Sequence, residues 1–176
     1  MRFFLSVVLV CVGLITSHAQ PEQGLPPIFE SAASEFNVPS SILKGIAFVE
    51  TRWMHVRPES QAESHHNMPP AYGVMGLRDD DWFGHSLTEA ASLIHQPPSV
   101  LKEDIVANIR GASALLASLA GQEQVKPTNH DLFSWFNVVA KFSGIPQREL
   151  RGSYAGRVFY ALRDGYSDFG IEIPTH

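Results

Sequence analysis

Apolar residues recur every three or four positions through most of the chain after residue 27, which is the spacing of amphipathic helices. The clearest case is the segment 40–54, where the apolar side chains fall within an arc of roughly 160° at about 100° per residue. These side chains are Ile42, Leu43, Ile46, Ala47, Val49, Trp53 and Met54. Similar patterns predict five further helices, over 28–36, 88–95, 103–120, 131–142 and 147–164. The sequence therefore predicts a mostly α single domain of about six helices around one core.

Breakers and polar segments separate these helices. Ser40 is a suitable N-cap for the helix 40–54, and Gly165 is expected to end the last helix. Residues 57–70 are polar and contain three prolines, so we expect a long loop or a small β excursion there. The tail, residues 166–176, is expected to be extended.

The first nineteen residues have the pattern of a secretory signal peptide. Arg2 precedes an apolar run, and a small-x-small cleavage site, Ser17-His18-Ala19, follows it. An uncleaved anchor is the alternative, but the run is short for a membrane span. We therefore expect export to a bacterial periplasm or the extracellular space, a leader over 20–27, a domain over 28–165, and no stable membrane anchor after cleavage.

Composition narrows the possible chemistry. The only cysteine, Cys11, lies inside the predicted signal peptide, so the mature domain is expected to have no disulfide and no zinc–thiolate site. The formal net charge is −5, which gives no basic footprint for nucleic acid. We expect a monomer that needs no cofactor and no metal.

Glu50 is the strongest candidate for catalysis, because it projects near the centre of the apolar arc of the helix 40–54. A carboxylate in such a place loses hydration, which favours its protonated form and raises its pKa. A proton donor that works near neutral pH needs that shift. The alternatives are a structural Glu with a buried partner, or a helix rotated so that Glu50 reaches water.

Four segments, in this order, resemble the lysozyme-like transglycosylase domain of peptidoglycan-cleaving enzymes. They are Ala47-Phe48-Val49-Glu50, Tyr72-Gly73-Val74-Met75-Gly76-Leu77, the helical segment 108–116 that begins Asn108-Ile109, and Val138-Val139-Ala140-Lys141-Phe142-Ser143-Gly144. The version here is most similar to the lysozyme-like region that precedes the amidase domain in some secreted N-acetylmuramoyl-L-alanine amidases. The resemblance spans residues 28–165.

The resemblance implies a lysozyme-like fold that acts on peptidoglycan glycan strands. Glu50 would be the general acid and base that cleaves the β-1,4 bond between N-acetylmuramic acid and N-acetylglucosamine. Either a lytic transglycosylase or a hydrolytic, lysozyme-like muramidase would fit. The implied substrate-binding residues are Tyr72, Gly73, Met75, Asn108, Phe142 and Ser143.

Two positions depart from the family pattern. Gly76 stands where the family usually has Gln, and Phe142 stands where it has a Tyr whose hydroxyl helps to orient the site. Phe cannot donate that hydrogen bond. Either the cleft has other partners or activity is low, and the alternative function is a non-catalytic peptidoglycan-binding module.

Other polar and aromatic residues are weaker candidates for a catalytic, metal-binding or sugar-binding role. The run Asp79-Asp80-Asp81 could supply a second carboxylate, but such a run more often forms a solvated turn or a helix cap. Glu59 and Glu63 are similar candidates, and His65-His66 lacks a third ligand with suitable spacing for a metal. Among the tryptophans, Trp53 and Trp135 are predicted to be core residues and Trp82 to be exposed.

Overall fold

A computed structural model describes residues 24–57, 69–125, 131–168 and 170–175. The helices in these ranges are α1 (Leu25–Phe36), α2 (Ser40–Thr51), α3 (Ser86–Leu93), α4 (Pro98–Glu103), α5 (Ile105–Gln122), α6 (Phe136–Phe142) and α7 (Arg148–Asp164). A 3-10 turn, Leu132–Trp135, leads into α6, and two strands, β1 (Tyr166–Asp168) and β2 (Ile171–Ile173), follow α7. The prediction of a mostly α single domain is confirmed.

One contiguous apolar core joins all of these helices. Helix α5 lies at its centre and contacts α1, α3, α4 and α6, while α2 packs against α7. Trp53 and Trp135 are buried in this core and Trp82 is 70% exposed, as the sequence predicts. The pairing of α2 with α7 matters most for function, because it fixes the two helices that carry the candidate site.

Helix α2 ends at Thr51, three residues earlier than predicted. Arg52 and Trp53 have φ angles of 54° and 61°, and their amides close the helix on the carbonyls of Phe48 and Ala47. Met54, predicted to be on the apolar face, is therefore exposed. Thr51 is buried, and its hydroxyl donates to the Val74 carbonyl oxygen at 2.8 Å. Glu50 thus occupies the last turn of the helix.

Helix starts also differ from the prediction. Ser40 lies inside α2, whose N-cap is Pro39, and makes no capping bond. The predicted helix 103–120 corresponds to α5, which begins two residues later because the Asp104 side chain caps it by accepting a hydrogen bond from the Ala107 amide at 2.7 Å. Glu103 instead ends α4, a helix that the sequence did not predict. Helix α1 begins within the segment expected to be a leader, with proline in its first turn.

The tail forms an antiparallel hairpin rather than a single extended segment. Tyr166 pairs with Ile173, and Asp168 pairs with Ile171. Ile171 and Ile173 are buried, and β2 contacts α2, so the hairpin covers one side of the core.

Several predicted features lie outside the described residues. These are the signal peptide, Glu59, Glu63 and the pair His65-His66. In the described ranges, no helix combines the length and the apolar character needed to cross a membrane.

Candidate functional site

A small cleft opens beside the last turn of α2. Its volume is about 110 Å³. The described residues that line it are Val49, Glu50, Arg78, Phe83, Ser143, Ile145, Tyr154 and Arg157. They come from four parts of the chain: α2, the turns before α3, the loop after α6, and α7. The cleft therefore exists only in the folded domain.

Glu50 is the carboxylate of this cleft. Its side chain is 12% exposed, so it is largely removed from water but still reachable. Burial raises the pKa of Glu50 above its ordinary value, and the positive charge of Arg78, the Tyr154 hydroxyl and the charge of Arg157 oppose that shift without cancelling it. The direction is the one that its place on the apolar arc predicts. Glu50 is suited to hold a proton in conditions where an exposed Glu has lost it.

Arg78 is the cation nearest to Glu50. Its Nη2 lies 3.7 Å from Glu50 Oε2, which is too long for a hydrogen bond. Arg78 Nη1 donates to the Pro69 carbonyl at 2.8 Å, and the guanidinium lies 4.7 Å from the centroid of the Phe83 ring. The arginine is therefore held by its other neighbours, and its loose contact leaves Glu50 free to bond elsewhere.

Tyr154 and Arg157 lie one turn apart on α7 and so share a face of that helix. The Tyr154 hydroxyl is buried, and no described residue offers it a partner with full hydrogen-bond geometry. Burial and the nearby charge of Glu50 raise the pKa of Tyr154 well above its ordinary value, so the hydroxyl stays protonated and can donate. Arg157 is exposed at the cleft mouth, with its guanidinium carbon 5.8 Å from the centroid of the Tyr154 ring.

Two glycines allow the walls of the cleft to approach each other. Gly76 has φ +62°, and a Cβ atom there would lie 2.7 Å from Glu50 Oε2. Gly144 has φ +66°, and a Cβ there would overlap the Phe83 carbonyl oxygen. Side chains are strained at such angles as well as obstructed. The departure at Gly76 thus has a structural reason: the Glu50 side chain occupies the space that a larger residue would need.

The predicted substrate-binding residues Gly73, Met75 and Asn108 lie in the core instead of on the cleft surface. Asn108 is 0% exposed; its Oδ1 accepts from the Met75 amide, and its Nδ2 donates to the carbonyls of Tyr72 and Leu101. Gly73 is buried and its amide donates to the Val56 carbonyl. Gly73 and Met75 belong to the turn that carries Gly76, Asn108 holds that turn from α5, and all three residues are buried.

The other three predicted residues have different places. Tyr72 is half-buried, with Lys102 Nζ 4.2 Å from the centroid of its ring. Phe142 is buried in the core and has no hydroxyl to offer, and the hydroxyl that acts on Glu50 comes from Tyr154 on α7. Ser143 lines the cleft with Glu50, and its hydroxyl donates to the Ala140 carbonyl at 2.6 Å. Of the six, Ser143 is the one that the structure brings to Glu50.

The sequence patterns missed Arg78, Tyr154 and Arg157. Its spacing from Val158 and Leu162 predicts that Tyr154 lies on the core side of the last helix, and it is buried. One signal was available: a buried Tyr needs a partner for its hydroxyl, and Arg157 lies on the same helical face. Nothing local pointed to Arg78.

The aspartate run 79–81 forms a turn in which Asp79 and Asp81 are exposed and Asp80 is half-buried. Asp80 Oδ1 accepts from the amides of Trp82 and Phe83, both at 2.8 Å. Asp79 accepts from Thr88 and contacts His85 Nδ1 at 2.7 Å, and this hydrogen bond raises the pKa of His85. The described lining of the Glu50 cleft includes none of the three aspartates.

Larger grooves lie elsewhere on the domain. One of about 590 Å³ runs between α1 and α2, but its charged groups, Lys44 and Glu30, pair with each other at 2.7 Å. Another of about 460 Å³ on α6 and α7 is lined mainly by aromatic and aliphatic side chains. Size alone would favour these grooves, but the Glu50 cleft is the one that joins a carboxyl of raised pKa to cations and a hydroxyl donor. Within the described residues, no group of three His, Cys, Asp or Glu side chains could hold a metal ion.

Comparison of the chain with protein-family models, with curated proteins and with solved structures found no match.

Proposed function

We propose that this domain cleaves the β-1,4 bond between N-acetylmuramic acid and N-acetylglucosamine in peptidoglycan, with Glu50 as general acid and then general base. The observation that carries the proposal is the Glu50 carboxyl, which lies in the wall of a cleft, is largely buried and has a raised pKa. The four family-like segments support the choice of substrate.

The surroundings of Glu50 support both halves of the reaction. Burial favours the protonated form, which would donate its proton to the leaving glycosidic oxygen. The carboxylate that results would be stabilised by Arg78, by the Tyr154 hydroxyl and by Arg157. That carboxylate would then accept the proton of the C6 hydroxyl of N-acetylmuramic acid, as the oxygen of this hydroxyl closes the 1,6-anhydro ring on the same sugar. The substrate's own N-acetyl group would stabilise the cationic sugar between the two steps.

The test is incubation of the mature protein with peptidoglycan sacculi, followed by mass analysis of the soluble products. We expect muropeptides with 1,6-anhydro ends from the wild type and none from Glu50→Gln. Reducing ends would instead identify a hydrolytic muramidase. Equal release by wild type and Glu50→Gln would refute the role of Glu50.

Binding without cleavage is the competing outcome. Phe142 and Gly76 place no polar side chain beside Glu50, which is the observation that favours a non-catalytic glycan-binding module. Co-sedimentation of wild type with sacculi, without soluble products, would support that module and count against the enzyme.

A further inference from the structure

The cleft carries more positive charge than Glu50 can balance. Its described lining holds two arginines, Arg78 and Arg157, and one carboxylate. The net charge of these groups is therefore +1 when Glu50 is ionised (+2 −1) and +2 when Glu50 holds its proton. A cleft with this charge favours an anionic ligand group.

Arg157 is the more available of the two cations. In the described part of the chain, no carboxylate lies within salt-bridge distance of its guanidinium, and its side chain is exposed at the cleft mouth. Arg163, on the same helix, differs because it pairs with Asp164 at 2.7 Å. Arg157 thus keeps its fork of N–H donors for a ligand.

Arg78 adds a second set of donors deeper in the cleft. One of its terminal nitrogens is bonded to the Pro69 carbonyl, whereas the other lies 3.7 Å from Glu50 without a hydrogen bond. A planar guanidinium held in this way is suited to bind a carboxylate with two parallel bonds. The ring of Phe83 fixes its orientation.

We propose that Arg78 and Arg157 form a subsite for a carboxylate on the glycan, next to the bond that Glu50 cleaves. This inference rests on the proposed function and refines its substrate: a strand whose muramic acid lactyl group is free of peptide. The cleft volume of about 110 Å³ is close to that of roughly four liquid waters, which is enough for a short carboxylate-bearing group.

A place in a reaction sequence follows from this chemistry. In peptide-bearing peptidoglycan, the lactyl carboxyl is part of an amide and carries no charge. A reaction that hydrolyses that amide must therefore act first and supply the free carboxylate. The domain would prefer the denuded strands that this hydrolysis leaves and would cleave the peptide-bearing strands of sacculi more slowly.

The test measures binding in the Glu50→Gln background, where no strand is consumed. The ligands are denuded glycan strands, the same strands with their carboxylates converted to neutral amides by carbodiimide coupling, and polygalacturonate, whose carboxylates belong to uronic acids. We expect denuded strands to bind at least about tenfold more tightly than the neutralised strands at low ionic strength. Adding Arg157→Gln should remove that preference, Arg157→Lys should keep part of it, and Arg163→Gln should leave it unchanged.

Two results would overturn the subsite: equal affinity for denuded and neutralised strands, or equal effects of Arg157→Gln and Arg163→Gln. Polygalacturonate binding as tightly as denuded strands would overturn the assignment to muramic acid. Because these affinities are measured without cleavage, they test the subsite independently of the proposed enzymatic activity. Wild type that releases products from sacculi, while its Glu50→Gln form shows no charge preference, would refute only the subsite.

Discussion

Asn108 and Glu50 are both polar side chains on apolar helix faces, and the sequence predicts a role at the site for both. Asn108 has no exposed surface and makes three hydrogen bonds to the backbone. Glu50 is 12% exposed, and its ion pair with Arg78 spans 3.7 Å. One polar group is fully satisfied inside the protein, whereas the other is not.

This difference separates a structural role from a chemical one. A buried group whose donors and acceptors are all used holds the fold together and has nothing to give a ligand. A buried titratable group with a loose partner and an opening to solvent can still exchange a proton or accept a bond. The turn around Asn108 is therefore expected to govern stability, and the cleft around Glu50 to govern function.

Glu50→Gln should give the largest effect, a loss of cleavage activity. Loss of a general acid and base is expected to lower the cleavage rate by about 10²- to 10⁴-fold, because water must replace it. Product release from sacculi, measured by mass analysis, checks this. Activity of this variant within a few-fold of wild type would remove the contrast with Asn108.

The same variant should change the pH dependence of stability in a defined direction. Because the folded-state pKa of Glu50 lies above its ordinary value of 4.5, its contribution to stability is fully present below pH 4.5 and is lost as pH rises through the folded pKa. Gln does not ionise, so Glu50→Gln does not lose this stability. In denaturant unfolding, the free energy of unfolding of the variant should therefore rise relative to that of wild type as pH increases above 4.5.

Asn108→Ala should mainly lower the free energy of unfolding of the domain. It removes three hydrogen bonds and leaves the Met75 amide and the Leu101 carbonyl without this partner, while the Tyr72 carbonyl keeps the Leu77 amide, and the expected cost is about 3 kcal/mol. Urea unfolding measures the loss. Asn137→Ala, at an exposed position of α6, is the matched control and should stay within about 0.5 kcal/mol of wild type. Equal stability of the two variants would contradict the structural role of Asn108.

Gly76→Ala tests the boundary between the two regions, because Gly76 belongs to the turn and touches Glu50. We expect a loss of about 2 kcal/mol and lower activity, since the new methyl group overlaps Glu50 at a positive φ. Gly84→Ala is the control: its φ is +79°, but no atom lies within 4 Å of the added Cβ. It should show only the backbone strain, of about 1 kcal/mol, and unchanged activity.

Tyr154→Phe should give the smallest change in stability, because it removes a buried hydroxyl that has no fully formed hydrogen bond in the described residues. The substitution should still change the pKa of Glu50, since the Tyr154 hydroxyl stabilises the ionised form of that carboxyl. Its loss raises the pKa of Glu50 further, so the alkaline limb of the cleavage pH profile should move to higher pH. A profile identical to that of wild type would show that Tyr154 does not tune the acid.

The sequence by itself determined the helical character of the domain and the direction of the Glu50 pKa shift. These properties follow from the spacing of side chains along a single helix, which is a local quantity. The sequence also indicated the Gly165 helix end, because glycine ends helices without help from distant residues. It was less successful at Thr51 and Ser40, where tertiary contacts and neighbouring turns set the helix boundaries.

Only the tertiary structure decided which polar residues meet. Arg78, Tyr154 and Arg157 are distant from Glu50 in the sequence, and they reach it because α7 packs against α2 and the turn before α3 folds over the end of α2. Asn108 and Met75, which the resemblance implies to be substrate-binding residues, lie in the core for the same reason. Periodicity gives the direction in which a side chain points from its own helix, but burial and electrostatic coupling depend on what lies opposite, and that is fixed by packing.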